Sequence, residues 1–406
     1  MRWVLNRVER HIIKHNSEID KLCFLSKNLY NYANYCIRQS FTKTGKIPSE
    51  YELTGKLAKR RQSDYKALPS QTSQQIIKLL YKNWKSFFSA IKEYKKNPHK
   101  YRGRPKLPKY KDKNGRNIVI FTGQQCKIKN GFIKFPKGVL EPLRTKVDNV
   151  VQVRLVPQAT CYVIEVVYEK EVKICENLKE DRILGVDLGI NNLATCVNNV
   201  GMKPFIINGK PLKSINQYSN KLRAKGMSYV KDKGTSKNIR RVLLKRNNLI
   251  QNYLHHASRF IISYCVKCGI GTVIVGHNKE WKQEANMGKR NNQNFISIPF
   301  NSLIQQLRYK GEEVGIRVIE TEESYSSKVD HFAHETMKYH KTYLGKRVKR
   351  GLFQSSTGKV LNADINGAIG IIRKVIGDSF VEEIVNRGQA LCPIKIIPCT
   401  FKYNKV

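Results

Sequence analysis

Two acidic residues that lie far apart in the sequence stand in apolar surroundings, where a charge is costly unless it has a partner. Asp187 interrupts the apolar stretch at residues 182–195, and Gly185 and Gly189 leave room beside it. Asp364 stands at the start of an amphipathic helical pattern. Carboxylate oxygens are the ligands that Mg²⁺ prefers. The two aspartates therefore indicate a divalent-metal site.

A site that hydrolyses a phosphodiester with two metal ions needs more negative charge than two carboxylates supply. The apolar strand predicted just before residue 276 ends in Gly276, so no acid stands there. The next predicted strand, residues 316–322, contains Glu320 and Glu322, and Glu323 follows it directly. Strand alternation puts Glu320 and Glu322 on one face. Glu323 points to the crevice outside the strand ends, where α/β sheets bind ligands, and is the expected third ligand.

The charge of the chain points to a polyanionic partner. Its 406 residues carry 75 Lys and Arg against 31 Asp and Glu, a formal net charge of +44. An enzyme of small substrates needs no such excess, so nucleic acid is the expected partner. No apolar run approaches the roughly 20 residues of a membrane span. Ten scattered cysteines without a secretory signal indicate a reduced, cytoplasmic and nucleoid-associated protein.

The first part of the chain is predicted to combine a helical module with short strands. Apolar spacing predicts helices from Ser17 and over residues 70–95, within a module at residues 17–97. Strands are predicted around it at residues 2–13, 150–155 and 161–168, with a hairpin that turns at Asn130-Gly131. We expect the strands of residues 1–16 and 98–180 to close a small barrel.

A basic, proline-broken stretch at residues 95–113 follows the helical module. Such a charge run is typical of a solvated linker. Its interleaved tyrosines, with Arg102 and Arg104, are equally compatible with contacts to a nucleic-acid backbone. Both interpretations stay open at this point.

Residues 181–375 are predicted to form an α/β domain with an RNase H-like mixed sheet. The Asp187 strand, a second strand at 193–197 and a third near 204–207 form its first part. A basic helical arm covers residues 212–269, and the last segments form a parallel β-α-β unit, with strands at 271–275 and 316–322 around a helix at 300–314. Residues 376–406 form a tail without a predicted role.

Two other motifs could bind a metal, but the expected interpretation of each is structural. Cys265 and Cys268 lie on the apolar stripe of a helix, which favours core packing. His331 and His334 lie in a polar stretch, and we expect both to be solvated. No cysteine lies between Cys268 and Cys392, which excludes a four-cysteine zinc ribbon in that interval. We therefore expect no zinc.

Four segments resemble, in order, those of TnpB, the transposon-encoded RNA-guided DNA nuclease also called an OrfB-type transposase. They are GVDLGINNLAT at residues 185–195, WKQEANMGKRNNQ at 281–293, ESYSSK at 323–328 and NADINGA at 362–368. The first and last match the RuvC-I and RuvC-III motifs. The order and spacing of all four extend the resemblance over nearly the whole chain.

The resemblance implies an architecture and partners. The barrel strands would form a wedge domain, residues 17–97 a recognition lobe and residues 181–375 a RuvC nuclease. The protein would bind a guide RNA from the transposon end and a double-stranded DNA target beside a short adjacent motif. Guide pairing would supply the sequence specificity. Two Mg²⁺ ions would be held by Asp187, Glu323 and Asp364, and a monomer is favoured.

The chain departs from the TnpB pattern in two places. Gly276 stands where most members carry the RuvC-II glutamate, and the cysteine-free basic insert at residues 328–360 replaces the usual zinc ribbon. A subset of TnpB proteins and the Fanzor proteins is similar in having this glutamate on the following strand, which fits Glu323. Further nucleic-acid contacts are expected in the insert and in the preceding polar loop, at Lys346, Arg347, Trp281, Lys282, Lys289 and Arg290.

These observations favour an Mg²⁺-dependent, RNA-guided DNA endonuclease. The alternative is a catalytically inactive RNA-guided DNA-binding protein that represses transcription, which Gly276 favours and the presence of Asp187 and Asp364 disfavours. A transposase that joins strands itself lacks support, because no tyrosine nucleophile accompanies a His-x-His metal motif. The ordered acidic motifs weaken the case for a general nucleic-acid-binding scaffold.

Overall fold

The computed structural model describes residues 4–136, 138–230, 234–278, 297–349, 351–378, 381 and 392–398. The chain divides into two units, one at residues 4–170 and the other from Glu171 onward. Helices and several sheets are present, so the predicted mixed α/β class is confirmed. Among the described residues, no helix is long and apolar enough to cross a membrane.

The first unit contains the predicted helical module. Its helices are α1 (Ser17–Thr44), α2 (Glu50–Lys59), α3 (Ser63–Ala67) and α4 (Ser70–Lys96). Helix α1 begins where the Asn16 side chain accepts a hydrogen bond from the Ile19 amide, and it ends at Gly45 in the left-handed conformation, with φ of 67°. The module packs around Trp84, which is fully buried and donates its indole N–H to Asn34.

Part of the basic stretch is held tightly along α1, and we call residues 104–111 the strap. Asn34 and Arg38 both donate to the Pro108 carbonyl, and Asn31 exchanges two hydrogen bonds with the backbone of Lys111. Leu107 packs against the core of the helical module. The interpretation as a solvated linker is therefore wrong for the strap, because its backbone is bound by side chains of α1.

The strands of this unit form two sheets. One has the order β1-β7-β6-β2 and the other β3-β4-β5. The hairpin between β3 and β4 turns at Asn130 and Gly131, with φ of 52° and 73°, as predicted for a type I′ turn. The strands are β1 (Val4–Ile13), β2 (Val119–Thr122), β3 (Lys127–Lys129), β4 (Phe132–Lys134), β5 (Leu143–Arg144), β6 (Gln152–Pro157) and β7 (Tyr162–Glu171).

In the described residues, hydrogen bonds do not close these strands into the single barrel that the sequence pattern predicted. Strands β3, β4 and β5 are two or three residues long and pair only with one another. Ile133 of the small sheet and Val153 of the larger one belong to the same hydrophobic core. Side-chain packing, without a continuous hydrogen-bond ladder, therefore joins the two sheets.

The second unit is organised around a mixed sheet of the order β12-β11-β8-β9-β10-β16. Its strands are β8 (Lys179–Leu188), β9 (Asn192–Asn198), β10 (Phe205–Asn208), β11 (Ile270–Gly276), β12 (Arg317–Thr321) and β16 (Ile394–Ile396). Strands β8, β9 and β10 form antiparallel neighbours, and β11 runs parallel to both β8 and β12. The three predicted strands at the start of the domain and the parallel β-α-β continuation are confirmed.

Four helices flank the described part of this sheet, namely α5 (Lys210–Ser228), α6 (Lys237–Cys268), α7 (Phe300–Glu312) and α8 (Ala363–Ile376). Helix α6 ends at Gly269, as predicted, with φ of 67°. Cys265 is fully buried in the core and Cys268 packs against it, which confirms their structural role. Helix α8 packs closely on β8. A Cβ at Gly185 would lie only 2.4 Å from the Ile372 side chain, so a residue larger than glycine would not fit there.

The basic insert forms a three-stranded sheet and a buried polar network. The strands are β13 (Lys346–Lys349), β14 (Leu352–Gln354) and β15 (Val360–Asn362). His331, expected to be solvated, is fully buried. Its ring contacts the Ser326 carbonyl at 2.6 Å and the Arg373 guanidinium at 2.8 Å. The expectation failed because a local polar sequence hid these long-range partners, whereas His334 is exposed as predicted.

Candidate metal centre

Strand β8 and helix α8 together position Asp187. The strand pairs Asp187 with Thr195 of β9 on one side, while its neighbour Val186 pairs with Val275 of β11 on the other. A Cβ at Gly367 of α8 would lie 2.8 Å from Asp187 Oδ2. The absence of a side chain at Gly367 therefore provides the space that the carboxylate occupies. Glycine is needed here for close approach.

Helix α8 also presents Asp364 from its first turn. Asn362 caps the helix by accepting hydrogen bonds from the amides of Asp364 and Ile365. The Asn192 amide, at the start of β9, donates to Asp364 Oδ2. Asn192 thus connects the turn after Asp187 to the second acid. The NADINGA segment predicted both the helix start and the place of Asp364.

Glu323 follows β12 by two residues and is held by Asn278, which follows β11. Its amide donates to Asn278 Oδ1 at 3.0 Å, and the Asn278 amide contacts Glu323 Oε1 at 3.4 Å. The other carboxylate oxygen, Oε2, is buried and has no hydrogen-bond partner among the described residues. A buried oxygen without a donor is costly, so it marks a place for an additional ligand.

The carboxylate of Glu323 lies beside the position where a side chain at residue 276 would begin. A Cβ at Gly276 would stand 3.2 Å from Glu323 Oε2, and 2.4 Å from Cδ1 of Ile371. Strand β11 pairs Gly276 with Thr321 of β12. The neighbouring strand therefore brings an acid next to the end of β11, although β11 itself carries none there.

The two alternative acids have other partners. Glu320 forms an ion pair with Arg308 at 2.6 Å and contacts His277 at 3.3 Å. Glu322 is exposed and accepts a hydrogen bond from Ser324. Neither acid is among the charges that raise the pKa of Asp187. Of the three acids near the end of β12, the geometry associates only Glu323 with Asp187.

The electrostatics of the three carboxylates reflect their proximity. Burial, followed by the charges of Glu323 and Asp364, raises the pKa of Asp187 well above its usual value, and Arg347 opposes this rise. Burial raises the pKa of Glu323 to about 7, although the nearby Lys374 acts in the opposite direction. Each carboxylate thus disfavours ionisation of Asp187, and a cation between them would reverse that preference.

The donor set fits a divalent cation without forming a ready-made cluster. In the residues that the structure describes, no group of three His, Cys, Asp or Glu side chains is gathered closely enough to hold a metal ion. The three acids nevertheless offer only oxygen donors, are each partly exposed, and include the unpartnered oxygen of Glu323. Hard cations such as Mg²⁺ prefer this chemistry. Soft ligands suited to zinc are absent from these three positions.

The predicted nucleic-acid contacts fall into three places. Lys346 and Arg347 are exposed on β13, and Arg347 is near enough to Asp187 to affect its pKa. Arg102 and Arg104 are exposed in the other unit, immediately before or within the strap. The remaining four predicted contacts, Trp281, Lys282, Lys289 and Arg290, lie outside the described residues.

The sequence interpretation missed two asparagines that orient the acids. They are Asn192, at the start of β9, and Asn278, which follows β11. Their hydrogen bonds to Asp364 and Glu323 show a shared pattern, in which an amide near a strand terminus holds a carboxylate of another element. The end of β11 is where an acid is expected, and Asn278 stands two residues after it. An amide side chain at such a position is the signal that could have identified Asn278.

Comparisons with known proteins show which proteins the chain resembles. Residues 165–282 match the OrfB_IS605 family model, described as a probable transposase, and residues 300–371 match the model described as Cas12f1-like, TNB domain. The chain is 24% identical over 402 residues to the TnpB-like protein ORF457 of Acidianus two-tailed virus, covering 89% of this chain and 84% of that protein.

The fold is also similar to that of Cas12f1, solved by cryo-EM as a complex with sgRNA and target DNA. The alignment has a TM-score of 0.54 and 14% identity, and covers 87% of this chain and 82% of that one. At this identity the likeness concerns the fold. Strands β8, β9 and β11 and helix α7 fall largely or wholly within the two matched segments, as do Asp187, Glu323 and Asp364.

Proposed function

We infer from the similarity of this chain to TnpB-like proteins that it is an RNA-guided DNA endonuclease, with Asp187, Glu323 and Asp364 as its metal ligands. The observation that carries the inference is that Glu323, after β12, and Asp364, at the start of α8, lie near enough to Asp187 of β8 for their charges to raise its pKa. The charges of Glu323 and Asp364 raise the pKa of Asp187, and a carboxylate perturbed in this way is typical of functional sites.

The divalent metal, when bound, would supply the positive charge that offsets the carboxylates and the phosphate undergoing cleavage. The residues of the chain have the task of holding the ligands in place. Asn192 and Asn278 orient Asp364 and Glu323 through their amides. Gly367 leaves the space for Asp187. Arg347 places a positive charge near the same carboxylate, where it can attract a phosphate.

We assign to Glu323 the part that most family members give to a glutamate at the position of Gly276. The support is spatial, because Glu323 Oε2 lies 3.2 Å from where a Cβ at Gly276 would be. A side chain at Gly276 would also collide with Ile371. Glu323 after β12 and Gly276 at the end of β11 are therefore compatible with each other, whereas acidic side chains at both positions would compete for the same space.

The net charge of +44 supports the RNA and DNA partners of this proposal. The Cas12f1 structure with the similar fold was solved with sgRNA and target DNA. A guide RNA, its hybrid with the target and a displaced DNA strand together present a long path of phosphates. Lys and Arg spread along the whole chain fit such a path better than a single small ligand.

Cleavage of a plasmid by the protein co-expressed with RNA from its own locus tests the proposal. The plasmid carries the target beside a randomised motif, and the reaction contains Mg²⁺. Wild type is compared with Glu323→Gln and with Glu322→Gln, a matched change at the exposed neighbour. Cutting by wild type and Glu322→Gln, with none by Glu323→Gln, is expected. Equal cutting by all three would exclude Glu323 from the site.

A second candidate is an RNA-guided DNA-binding protein that does not cut. The observation that favours it is Gly276, which lacks the acid at the usual strand end. Target binding is therefore measured in the same reactions. Binding without cutting by wild type, in Mg²⁺ and in Mn²⁺, would support this second function and refute the first.

A further inference from the structure

The helical module contains a cavity of about 580 Å³ between α1, α4 and the strap. Phe41, Phe87 and Phe88 contribute aromatic surface to it. Arg38, Arg104, Lys106 and Lys109 also line it, and no acid does. Its volume falls in the range of cavities that hold small organic ligands. Aromatic surface beneath a cationic rim is the chemistry that receives a planar base attached to a phosphate.

The aromatic side keeps ring surfaces available at two orientations, because the planes of Phe87 and Phe88 are tilted by 55°. Phe87 and Phe88 lie 5.3 Å apart between ring centroids, and Phe87 packs edge-on against the buried Trp84. Phe41 contacts both Trp84 and Phe88. The two phenylalanines of α4 remain only partly buried, although a core would normally cover such side chains. Trp84 therefore fixes them from behind while their outer surfaces stay accessible.

The cationic side is fixed by the strap. Arg38 donates to the Pro108 carbonyl, and its guanidinium stacks 4.6 Å from the Tyr110 ring. The Nε atom of Arg38 is buried and has no hydrogen-bond partner in the part of the chain that the structure describes. Two prolines, Pro105 and Pro108, restrict the strap backbone on which Arg104, Lys106 and Lys109 are carried. Little backbone conformational entropy is therefore lost when this rim receives a ligand.

The strap also separates this cavity from a second one of about 430 Å³. Phe87, Pro105, Lys106 and Lys109 line both. The second cavity adds Tyr30 and the Asn83 side chain, whose amide donates to the Tyr30 hydroxyl. A nucleotide chain crossing the strap at Lys106 and Lys109 would have a phosphate-binding rim with an aromatic surface on each side.

We propose that the larger cavity binds an unpaired base of the RNA, stacked on the phenylalanines of α4, with the adjoining phosphate held by Lys106 and Arg104. This rests on the proposed function in requiring that the chain binds RNA. Folded RNA offers unpaired bases in loops and bulges, which proteins recognise by stacking on aromatic and arginine side chains. A displaced DNA strand has unpaired bases only after guide pairing, whereas RNA is present before any target is bound, so RNA is the occupant of the cavity in the protein–RNA complex.

Crosslinking of the assembled complex tests the location. The full-length protein is co-expressed with the RNA of its locus in cells supplied with 4-thiouridine, irradiated, and digested for mass spectrometry. Crosslinks are expected on peptides that contain Phe87, Phe88 or residues of the strap. Recovery of RNA with crosslinks exclusively elsewhere would refute the cavity proposal while leaving RNA binding intact. Recovery of no RNA with the wild type would refute the proposed function as well.

Two substitutions separate stacking from charge. Phe87→Leu keeps an apolar side chain but removes the ring, and we expect about tenfold weaker RNA binding with an unchanged salt dependence. Lys106→Gln is compared with Lys59→Gln, an exposed change on α2 away from the cavity. Lys106→Gln should weaken RNA binding several-fold more than Lys59→Gln, because Lys106 would contact the bound phosphate and Lys59 would not.

Circular dichroism melting of each variant verifies that the module is folded. Equal RNA affinity for wild type and folded Phe87→Leu would overturn the proposal. A change in the oligomeric state of Phe87→Leu with unchanged RNA affinity would also overturn the proposal, because it would identify a second copy of the chain as the occupant of the cavity. Loss of 4-thiouridine crosslinks at the strap in folded Phe87→Leu would support it.

Discussion

Helix α8 carries two clusters of polar side chains that differ in how their charges are compensated. Toward its start, Asp364 lies near Asp187 and Glu323, and Glu323 Oε2 is buried without a donor. Toward its end, Arg373 joins a network in which buried Asp330 accepts hydrogen bonds from Ser355 and Ser356, and from two backbone amides of its own turn. The first cluster has one amide donor each for Asp364 and Glu323, whereas Asp330 alone accepts five hydrogen bonds.

The difference indicates different roles for the two clusters. A buried carboxylate that accepts several hydrogen bonds strengthens the fold around it. A carboxylate such as Asp187, whose pKa is raised by burial and by neighbouring charges, weakens the fold until a cation is bound. The Asp330 network holds the insert against α8 through His331 and Arg373. The Asp330 network therefore anchors the end of α8, while the start of the same helix holds Asp364 beside the other carboxylates.

The largest expected effect comes from Asp187→Asn. This change keeps the shape of the side chain but removes the charge, so DNA cleavage should fall at least about a thousandfold, roughly 4 kcal/mol of transition-state stabilisation. Without metal, the free energy of unfolding should rise, because repulsion with Glu323 and Asp364 is relieved. Plasmid cleavage and urea unfolding in EDTA measure the two effects. Cleavage near the wild-type rate would remove Asp187 from the site.

Asp330→Asn should have the opposite effect on stability. An amide NH₂ would face donors that now bind a carboxylate, and we expect a loss of about 3 kcal/mol in the free energy of unfolding. Asp378→Asn is the matched control, because Asp378 is half exposed beside Arg373 and should cost less than about 1 kcal/mol. Equal losses in the two variants would show that burial and donor number do not distinguish them.

The sequence predicted the carboxylate cluster better than the Asp330 network for a physical reason. Asp187 and Asp364 interrupt apolar patterns, so each acid is conspicuous within its own element. The partners of Asp330 lie 25 and 26 positions away, at Ser355 and Ser356, in a stretch with no regular period. Local pattern therefore predicted the strands and helices, but it could not predict which polar side chains of the insert would meet and become buried.

The candidate site shows the same limit. Strand alternation and strand ends predicted Glu323, because they depend on sequence within one element. The roles of Asn192 and Asn278 depend on pairing between elements, across 172 and 45 positions respectively. The closed barrel was wrongly expected because strand pattern does not determine which strands hydrogen-bond to each other. Pairing between distant elements is the information that the sequence pattern lacked.

The two clusters should also respond to pH in opposite directions. Burial lowers the pKa of His331 from 6.5 to about 4, so the unfolded chain takes up a proton that the folded chain does not. This contribution therefore reduces stability as the pH falls from 6.5 toward 4, by about 2 kcal/mol at pH 5. The raised pKa of Glu323 acts in the reverse sense, since it weakens the folded state as the pH rises from 4.5 toward 7.

Urea unfolding of His331→Gln and wild type at pH 7 and pH 5 measures the His331 contribution. The stability difference between the two proteins should become smaller at pH 5 by the stated 2 kcal/mol, because only wild type loses the contribution of neutral His331. His99→Gln, at an exposed position, should show no such change between the two pH values. A parallel pH dependence in wild type and His331→Gln would contradict the assignment.

The smallest expected effect is the stabilisation of the carboxylate cluster by metal. Mg²⁺ at about ten times its Kd should raise the free energy of unfolding of wild type by about 1.4 kcal/mol. The rise should disappear in Glu323→Gln, which loses a ligand, and persist in Asp330→Asn, whose cluster needs no cation. Thermal melts with and without Mg²⁺ compare the three proteins in the absence of nucleic acid. Stabilisation lost in Asp330→Asn but kept in Glu323→Gln would place the cation in the insert and reverse the roles of the two clusters.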